Sequence, residues 1–303
     1  MLEKMDRQIE HNEVSCSIVI VNWKSIDYLI GCIESIKKNT EHTYEIIVID
    51  NFSGIDEQER LKKLNSVRLI LNNKNIGFAA ANNQGFKIAN GKYVLMLNPD
   101  TIILNGAIDK MIDFLECHET IYAVGPKLYY SEKLDYHHSV KRFPSPFSQF
   151  LHMMPFSKII RNLWTGLIFN PDKTQPVPCV WGAAIMFKKK VFDTIGYLDE
   201  ERFFVYTEEV DFCKRMALQG LKLYYYPQAK VIHFGGKSQQ KSSVHKNRLI
   251  WTSLINYFLK YYPLWMVRLS MYSICVILKL KVVLLKRDDL YEVINVIEEK
   301  LRA

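Results

Sequence analysis

Short apolar runs alternate along the first hundred residues with segments whose apolar positions recur every three or four. Ser15 to Asn22, Tyr44 to Asp50, Val67 to Leu71 and Tyr93 to Leu97 are apolar at most positions and bounded by turn residues. Such runs predict strands buried on both faces of a parallel sheet. Between them, Ser25 can cap a helix whose Ile26, Leu29, Ile33 and Ile36 share one face. Asp56 to Leu64 reads as a short polar helix, and Phe78 to Asn90 as a helix stopped by Gly91. Asn105 begins another, with Ala107, Ile108, Met111, Ile112 and Leu115 inward. This βαβαβ succession fits a nucleotide-binding half of an α/β domain.

The second half of the chain is less regular. Tyr122 to Arg142 looks strand-like, Val180 to Lys188 reads as a strand, and Phe203 to Tyr206 as a further buried one. Glu208 to Gln219 reads as a helix ended by Gly220, followed by two short strands, Lys222 to Tyr226 and Ala229 to His233. From Ser243 the pattern is helical. Near the C-terminus the longest charge-free apolar stretch runs from Leu269 to Leu278, whereas a membrane span needs about 20 apolar residues. Helices lying on a membrane surface remain open.

A hydrophobic fraction of 49% over 303 residues supports a substantial core and argues against disorder. The six cysteines (Cys16, Cys32, Cys117, Cys179, Cys213 and Cys275) lack zinc-ligand or redox spacing, so buried structural thiols in a reducing cytosol are expected. Met1 to Glu13 is charged and carries no signal-peptide pattern. The net charge is +8, and between Asp211 and Asp288 there is no acid while Lys and Arg recur. A one-signed stretch implies an anionic partner. Its interleaved aromatics, Trp251, Tyr257, Tyr261, Tyr262, Trp265 and Tyr272, favour an anionic membrane over nucleic acid.

Three polar turns follow apolar runs: Asp50-Asn51-Phe52-Ser53, Asn98-Pro99-Asp100-Thr101 and Thr207-Glu208-Glu209-Val210-Asp211. In an open α/β sheet, ligands sit beyond the carboxyl ends of the strands, where carboxylates suit a divalent cation and the phosphates it bridges. No dinucleotide fingerprint or P-loop occurs.

Taken with Asn75-Ile76-Gly77-Phe78-Ala79-Ala80-Ala81-Asn82-Asn83 and His233-Phe234-Gly235-Gly236, these turns resemble, in order, the motifs of family 2 inverting glycosyltransferases. The likeness covers roughly Ser15 to Lys237 and is nearest to bacterial rhamnosyltransferases of surface-polysaccharide synthesis. It implies a GT-A fold: a doubly wound, Rossmann-like mixed sheet, here with a helical C-terminal extension. The expected organisation is a tail over 1–13 and a glycosyltransferase domain over 14–237. That domain divides into a nucleotide-binding half over 14–105 and an acceptor-side half over 106–237. A basic, aromatic helical region over 238–303 would contact a membrane or a second subunit. Phe147 to Pro178, aromatic and broken by prolines, fits a mobile acceptor-side loop or a plain surface insertion equally well.

Asp100 can supply a hard oxygen ligand to Mg²⁺ or Mn²⁺. The family carries a second carboxylate two residues earlier; here Asn98 offers an uncharged amide. The resemblance adds His233 as a metal ligand and Asp50 as the contact to a pyrimidine base. Asn51, with Val21 and Asn22 at the end of the first strand, joins the nucleotide-sugar side. Gly77 allows close backbone approach, and Asn82 suits ribose or phosphate. At the start of the helix from Glu208, acids are favoured by the helix dipole alone. By resemblance, the second acid, Glu209, is the general base, with Glu208 and Asp211 beside it. Trp181 and Gly182 match the acceptor-side motif, where an indole can stack on a sugar.

The expectation is therefore a metal-dependent hexosyltransferase at the inner face of the cell membrane. It would move a sugar, L-rhamnose by resemblance, from a dTDP- or UDP-linked donor to a polyprenyl-diphosphate-linked saccharide, as a monomer or homo-oligomer. A sugar nucleotidyltransferase and a non-catalytic membrane scaffold are the alternatives.

Overall fold

The computed structural model describes residues 14–154, 169–235, 243–285 and 290–302. Four parallel strands lie in the order β3 (Arg68–Leu71), β2 (Tyr44–Asp50), β1 (Cys16–Asn22), β4 (Tyr93–Leu97). Their register is continuous, with Asn22 opposite Asp50 and Leu97 opposite Ile20. Beyond β4 the sheet turns mixed. β11 (Ala184–Lys188) runs antiparallel to both β4 and β6 (Ile121–Tyr129). β12 (Lys222–His233) then runs parallel to β6 and antiparallel to the edge strand β5 (Thr101–Leu104). β7 (Tyr136–His137) and β9 (Gln175–Pro176) add short antiparallel pairings, and β8 (Val140–Lys141) pairs with β10 (Cys179–Val180) in a separate ribbon.

Strand side chains alternate between two cores, as the two-residue period requires. Ile18 and Ile20 of β1 face helices α1 (Ile26–Asn39) and α4 (Ala107–Glu116), while α2 (Ile55–Lys62) adds Leu61 on that side. Val19 and Val21 face the opposite way. There they meet α3 (Phe78–Ile88), α6 (Val191–Ile195) and α7 (Glu208–Leu218). The same second core takes in Trp251, Tyr257, Met271, Ile274 and Ile297 from the C-terminal helices α8 (Ser243–Tyr261), α9 (Leu264–Leu285) and α10 (Tyr291–Arg302). α5 (Pro146–Met153) packs on α9, where Ser270 Oγ donates to the Pro146 carbonyl. The helical extension thus shares its core with the sheet.

Several local expectations change. Phe203 to Tyr206 is a bend. Its backbone carbonyls bond outside any ladder: Phe204 O accepts from Phe78 N, and Val205 O from Ser253 Oγ. With those groups satisfied, burial of Phe203 needs no neighbouring strand. Trp181 to Ala183 form a turn that interrupts Val180 to Lys188, and a Cβ on Gly182 there would meet Glu209 Cγ at 3.3 Å. The two short strands after Lys222 are one, with an irregularity between Tyr226 and Lys230 where Pro227 lacks a ladder donor. Ser25 precedes α1, yet its hydroxyl donates to Asn22 Oδ1 and makes no cap bond. α4 begins after Gly106, two residues beyond Asn105. Five of the six cysteines are buried and Cys117 is exposed. The stretch 155–168 of the expected loop lies outside the described residues, as do 1–13.

α3 lies so close to the sheet that a Cβ on Gly85 would meet Ile49 Cδ1 at 2.9 Å and Val19 closer still. Alanine in a helix interior normally gains about 1 kcal/mol over glycine. Crowding should win here: Gly85→Ala is expected to destabilise by about 1–3 kcal/mol, measured by urea denaturation.

Candidate functional site

Beyond the carboxyl ends of β1, β2 and β4 lies a cleft of about 370 Å³. It gathers Val21, Asn51, Asn98, Asp100, Trp181, Gly182, Glu208, Glu209 and His233 from elements far apart in sequence. The turn just before β11, which pairs antiparallel with β4, delivers Trp181, and the ladder between β12 and β5 sets His233 opposite Thr101. Asn98 and Asp100 sit in the turn joining β4 to β5, whose Thr101 hydroxyl donates to the Asn98 carbonyl at 2.8 Å.

One side of the cleft is rich in unsatisfied acceptors. Asp100 is 2% exposed. Its Oδ1 lies 3.4 Å from His233 Nε2, and its Oδ2 has no partner. Asn98 Nδ2 is 3.3 Å from the same imidazole nitrogen, and its Oδ1 is likewise buried and unpartnered, as is His233 Nδ1. Stranding a buried polar atom costs about 1–3 kcal/mol, so three at one spot mark a place built for something else to bind. A carboxylate, an amide oxygen and an imidazole suit a divalent cation such as Mn²⁺ or Mg²⁺, with phosphate or water completing its shell. Among the described residues no group of three His, Cys, Asp or Glu comes together, because Asn98 stands where a second carboxylate would complete one.

The opposite wall holds the acids of α7. Glu209 Oε1 accepts from Lys141 Nζ at 2.5 Å, and that ammonium sits 3.7 Å from the centre of the Trp181 ring. Burial works against the Lys141 charge, but the Glu209 carboxylate outweighs it and the ammonium pKa is raised. Glu208 has no such partner: its Oε2 is buried and unbonded. Burial, and then the charge of Glu209, push its pKa up to about 8. The two adjacent carboxyls therefore sit in different surroundings, Glu209 paired with a cation and Glu208 kept protonated by burial. His137, also in the lining, is held neutral, its pKa lowered to about 4 by burial and by nearby His233.

Apart from Asn51, which reaches the lining, the remaining predicted residues stand behind it. Asp50 is fully buried. Its carboxylate accepts from Asn22 Nδ2 at 3.0 Å, Gln58 Nε2 at 3.0 Å and Ser53 N at 3.2 Å, the Asx-type turn that its position also allowed. Asn51 binds Asn75 and Gly77 through Nδ2 while Oδ1 accepts from Ile76 N, so it shapes the loop leading into α3. Gly77, at φ +94°, makes its close approach to protein: a Cβ there would meet Phe204 O at 2.5 Å. Asn82 Nδ2 bonds back to the Phe78 carbonyl, leaving Oδ1 buried without a partner. Asp211 faces away from the cleft and takes bonds from Lys260, Tyr261 and Arg215.

Sequence reasoning missed Lys141, His137, Tyr206 and Trp23 of the lining, and also Lys246 and Leu249, which α8 contributes. Trp23, Phe52, Gly54 and Phe204 also line a second, more open recess of about 660 Å³ beside the first. Trp23 directly follows a strand end and was open to the same argument as Asn22. Lys141 carried no local signal.

A model of glycosyl transferase family 2 matches residues 17–196, more than half of the chain. The chain belongs to this family. It is 27% identical over 212 residues to the low-salt glycan biosynthesis hexosyltransferase Agl10 of Haloferax volcanii, spanning 68% of this chain and 63% of that one. It is 25% identical to the N-acetylglucosaminyl-diphospho-decaprenol L-rhamnosyltransferase of Mycobacterium tuberculosis (71% and 75%). It is 22% identical to the rhamnosyltransferase WbbL of Escherichia coli (80% and 89%). In three dimensions it is similar to GalNAc-T7 bound to UDP, GalNAc and Mn²⁺, with a TM-score of 0.58 and 20% identity over 82% of this chain and 47% of that one. It is also similar to the mannosyltransferase PcManGT of Pyrobaculum calidifontis bound to GDP-Man and Mn²⁺ (0.56 and 13%, over 89% and 75%). The fold is that of GT-A glycosyltransferases, with helices added at the C-terminus.

The raised pKa of Glu208 has a consequence for stability. Between about pH 4.5 and 8 the folded chain holds this proton and the unfolded chain does not, so rising pH favours unfolding across that window. Glu208→Gln removes the term. Its Tm relative to the unsubstituted protein should rise from pH 5 to pH 9, measured by calorimetry at both ends.

Proposed function

We propose that this glycosyltransferase is an inverting, metal-dependent enzyme that transfers a hexosyl residue, L-rhamnose in the favoured reading, from a nucleoside diphosphate sugar to a polyprenyl-diphosphate-linked saccharide. The observation that carries this reading is the division of one cleft into an unsatisfied Asn98–Asp100–His233 side and a Glu208–Glu209 side. The relatives acting on a diphospho-decaprenol sugar and named as rhamnosyltransferases support the acceptor class and the sugar. An acceptor with a lipid tail would bring the enzyme to the membrane face carrying the nucleotide sugar.

Asp100, with Asn98 and His233, would hold the cation, whose chemistry is to offset the charge of the departing diphosphate. Asp50, buried behind the lining, together with Val21, Asn22, Asn51, Gly77 and Asn82, shapes the nucleotide side. Trp181 offers a partly exposed indole face for a sugar of the acceptor. Glu209 accepts the acceptor's hydroxyl proton while that oxygen forms its bond to the anomeric carbon. The bond from that carbon to the diphosphate oxygen breaks, and its electron pair leaves with the nucleoside diphosphate. Lys141 pairs with Glu209 before the reaction, and protonated Glu208 adds no second negative charge beside the base.

Incubation with a panel of nucleotide sugars and a polyprenyl-diphosphate N-acetylhexosamine tests the transfer. Turnover from dTDP-rhamnose supports the full reading, another donor corrects the sugar, and no turnover with any donor rejects it. Asp100→Ala should weaken nucleoside diphosphate binding in Mn²⁺ by tenfold or more in titration calorimetry. EDTA should do the same to the unsubstituted protein, and binding that ignores EDTA would remove the cation from the scheme. Glu209→Gln should lower kcat by about 10²–10⁴ with donor affinity nearly unchanged. A larger kcat loss in Glu208→Gln would move the base to Glu208.

A further inference from the structure

α9 is apolar on two opposite faces. Val267, Met271, Ile274, Cys275, Leu278 and Val282 are buried in the second core. Along the other face, Trp265, Leu269, Tyr272, Val276, Leu280 and Val283 are each between 42% and 75% exposed. Phe147 in α5 and Met154 just after it, where α5 packs along α9, are exposed as well. Contiguous exposed apolar surface of this length marks an interaction site.

We propose that this face of α9 lies flat in the interfacial layer of a lipid bilayer, with its apolar side chains among the upper acyl chains. The spacing argues for a flat surface. Steps of four, three, four, four and three residues average about 3.6, the straight-helix period, so the stripe runs about 27 Å without winding round the axis. Composition argues the same way. Trp265 and Tyr272 are amphipathic rings suited to the headgroup level, exposed Arg268 and Lys279 flank the stripe along one edge, and α9 contains no acid. No helix among the described residues is long and apolar enough to cross a membrane, so the contact is a surface one.

The structure also changes the physics expected of attachment. Part of the basic charge in the acid-free stretch is paired on folding. Arg248 pairs with Glu292 and Glu299, Lys279 with Glu298, and Lys260 with Asp199 and Asp211. Apolar burial then dominates, and binding should be only weakly sensitive to salt. The inference stands on the exposure pattern and does not depend on the donor or acceptor assigned above.

The test is flotation of the full chain with neutral phosphatidylcholine vesicles and with vesicles containing phosphatidylglycerol, at low and high salt, beside sedimentation of the lipid-free protein. Expected are binding to both, persistence in high salt, and at least a tenfold loss in the triple variant Leu269→Gln, Val276→Gln, Leu280→Gln. Brominated lipid should quench tryptophan emission in the unsubstituted protein and less so in Trp265→Phe. An unchanged near-ultraviolet spectrum and nucleotide affinity in the triple variant would show that its fold is kept. If the variant misfolds, the Trp265→Phe quenching difference decides alone. Binding abolished by salt or restricted to anionic vesicles would overturn apolar embedding. No vesicle binding, with a dimer that the triple variant dissociates, would assign the face to a second copy of the chain.

Discussion

The arrangement of the cleft depends on one fully buried carboxylate, Asp211. Its Oδ1 accepts from Lys260 Nζ at 2.6 Å and from Tyr261 Oη at 2.8 Å, and its Oδ2 accepts from Arg215 Nε at 2.9 Å. Arg215 in turn reaches the carbonyls of Ile195 and Tyr197, while Lys260 also takes in Asp199. One charge thus binds α7, the 195–199 loop and α8 into a unit. Buried ion pairs gain little over an apolar core of the same shape, but losing one partner typically costs about 3–5 kcal/mol. Their value here is directional. α7 begins three residues before Asp211, so the anchor that fixes its first turn also aims Glu208 and Glu209 into the cleft. The third acid of the motif is then a positioning group, and the C-terminal helices become part of the machinery that orients the acids.

The backbone just before that helix is under matching constraint. Tyr206 and Thr207 both have φ of +69°, a region that β-branched residues seldom enter. Such conformations cost of order 1–3 kcal/mol each and persist only where surrounding contacts over-determine them. Those contacts come from both sides. Ser253 and Asn256 of α8 hold the carbonyls of Val205 and Arg202, and Phe78 N holds the carbonyl of Phe204 at 2.6 Å. Gly77 permits that last approach. The loop that shapes the nucleotide side and the bend that presents the acids therefore touch directly, and a shift in one must be felt by the other.

What was legible in the sequence follows from these same forces. The parallel strands were readable because burial on both faces writes a continuous apolar run, and Asp50, Asn98 and Asp100 were found because they end such runs. Phe203 to Tyr206 reads identically by composition, yet only Phe203 is buried, while Phe204 is half exposed at the cleft. Only the long-range partners of its carbonyls distinguish the bend from a strand. Lys141 was invisible for a related reason: it pairs with Glu209 across 68 positions, from a two-residue strand with no period of its own. The acid-free stretch read as more one-signed than it is in the fold, because Glu292, Glu298 and Glu299, which pair with Arg248 and Lys279, lie beyond its end and meet it only after folding.

Lys141 connects the chemistry of the acids to recognition. Its ammonium neutralises Glu209 and lies over the Trp181 ring, which is partly exposed in the cleft. A cation over an indole face competes with a sugar for that face. A saccharide stacking on Trp181 from the Lys141 side would have to displace the ammonium from the ring, and with it the pairing that Lys141 makes with Glu209. The contact between Lys141 and Glu209 is thus placed where occupancy of the Trp181 face would loosen it, which ties the surroundings of the acids to recognition through two adjacent side chains.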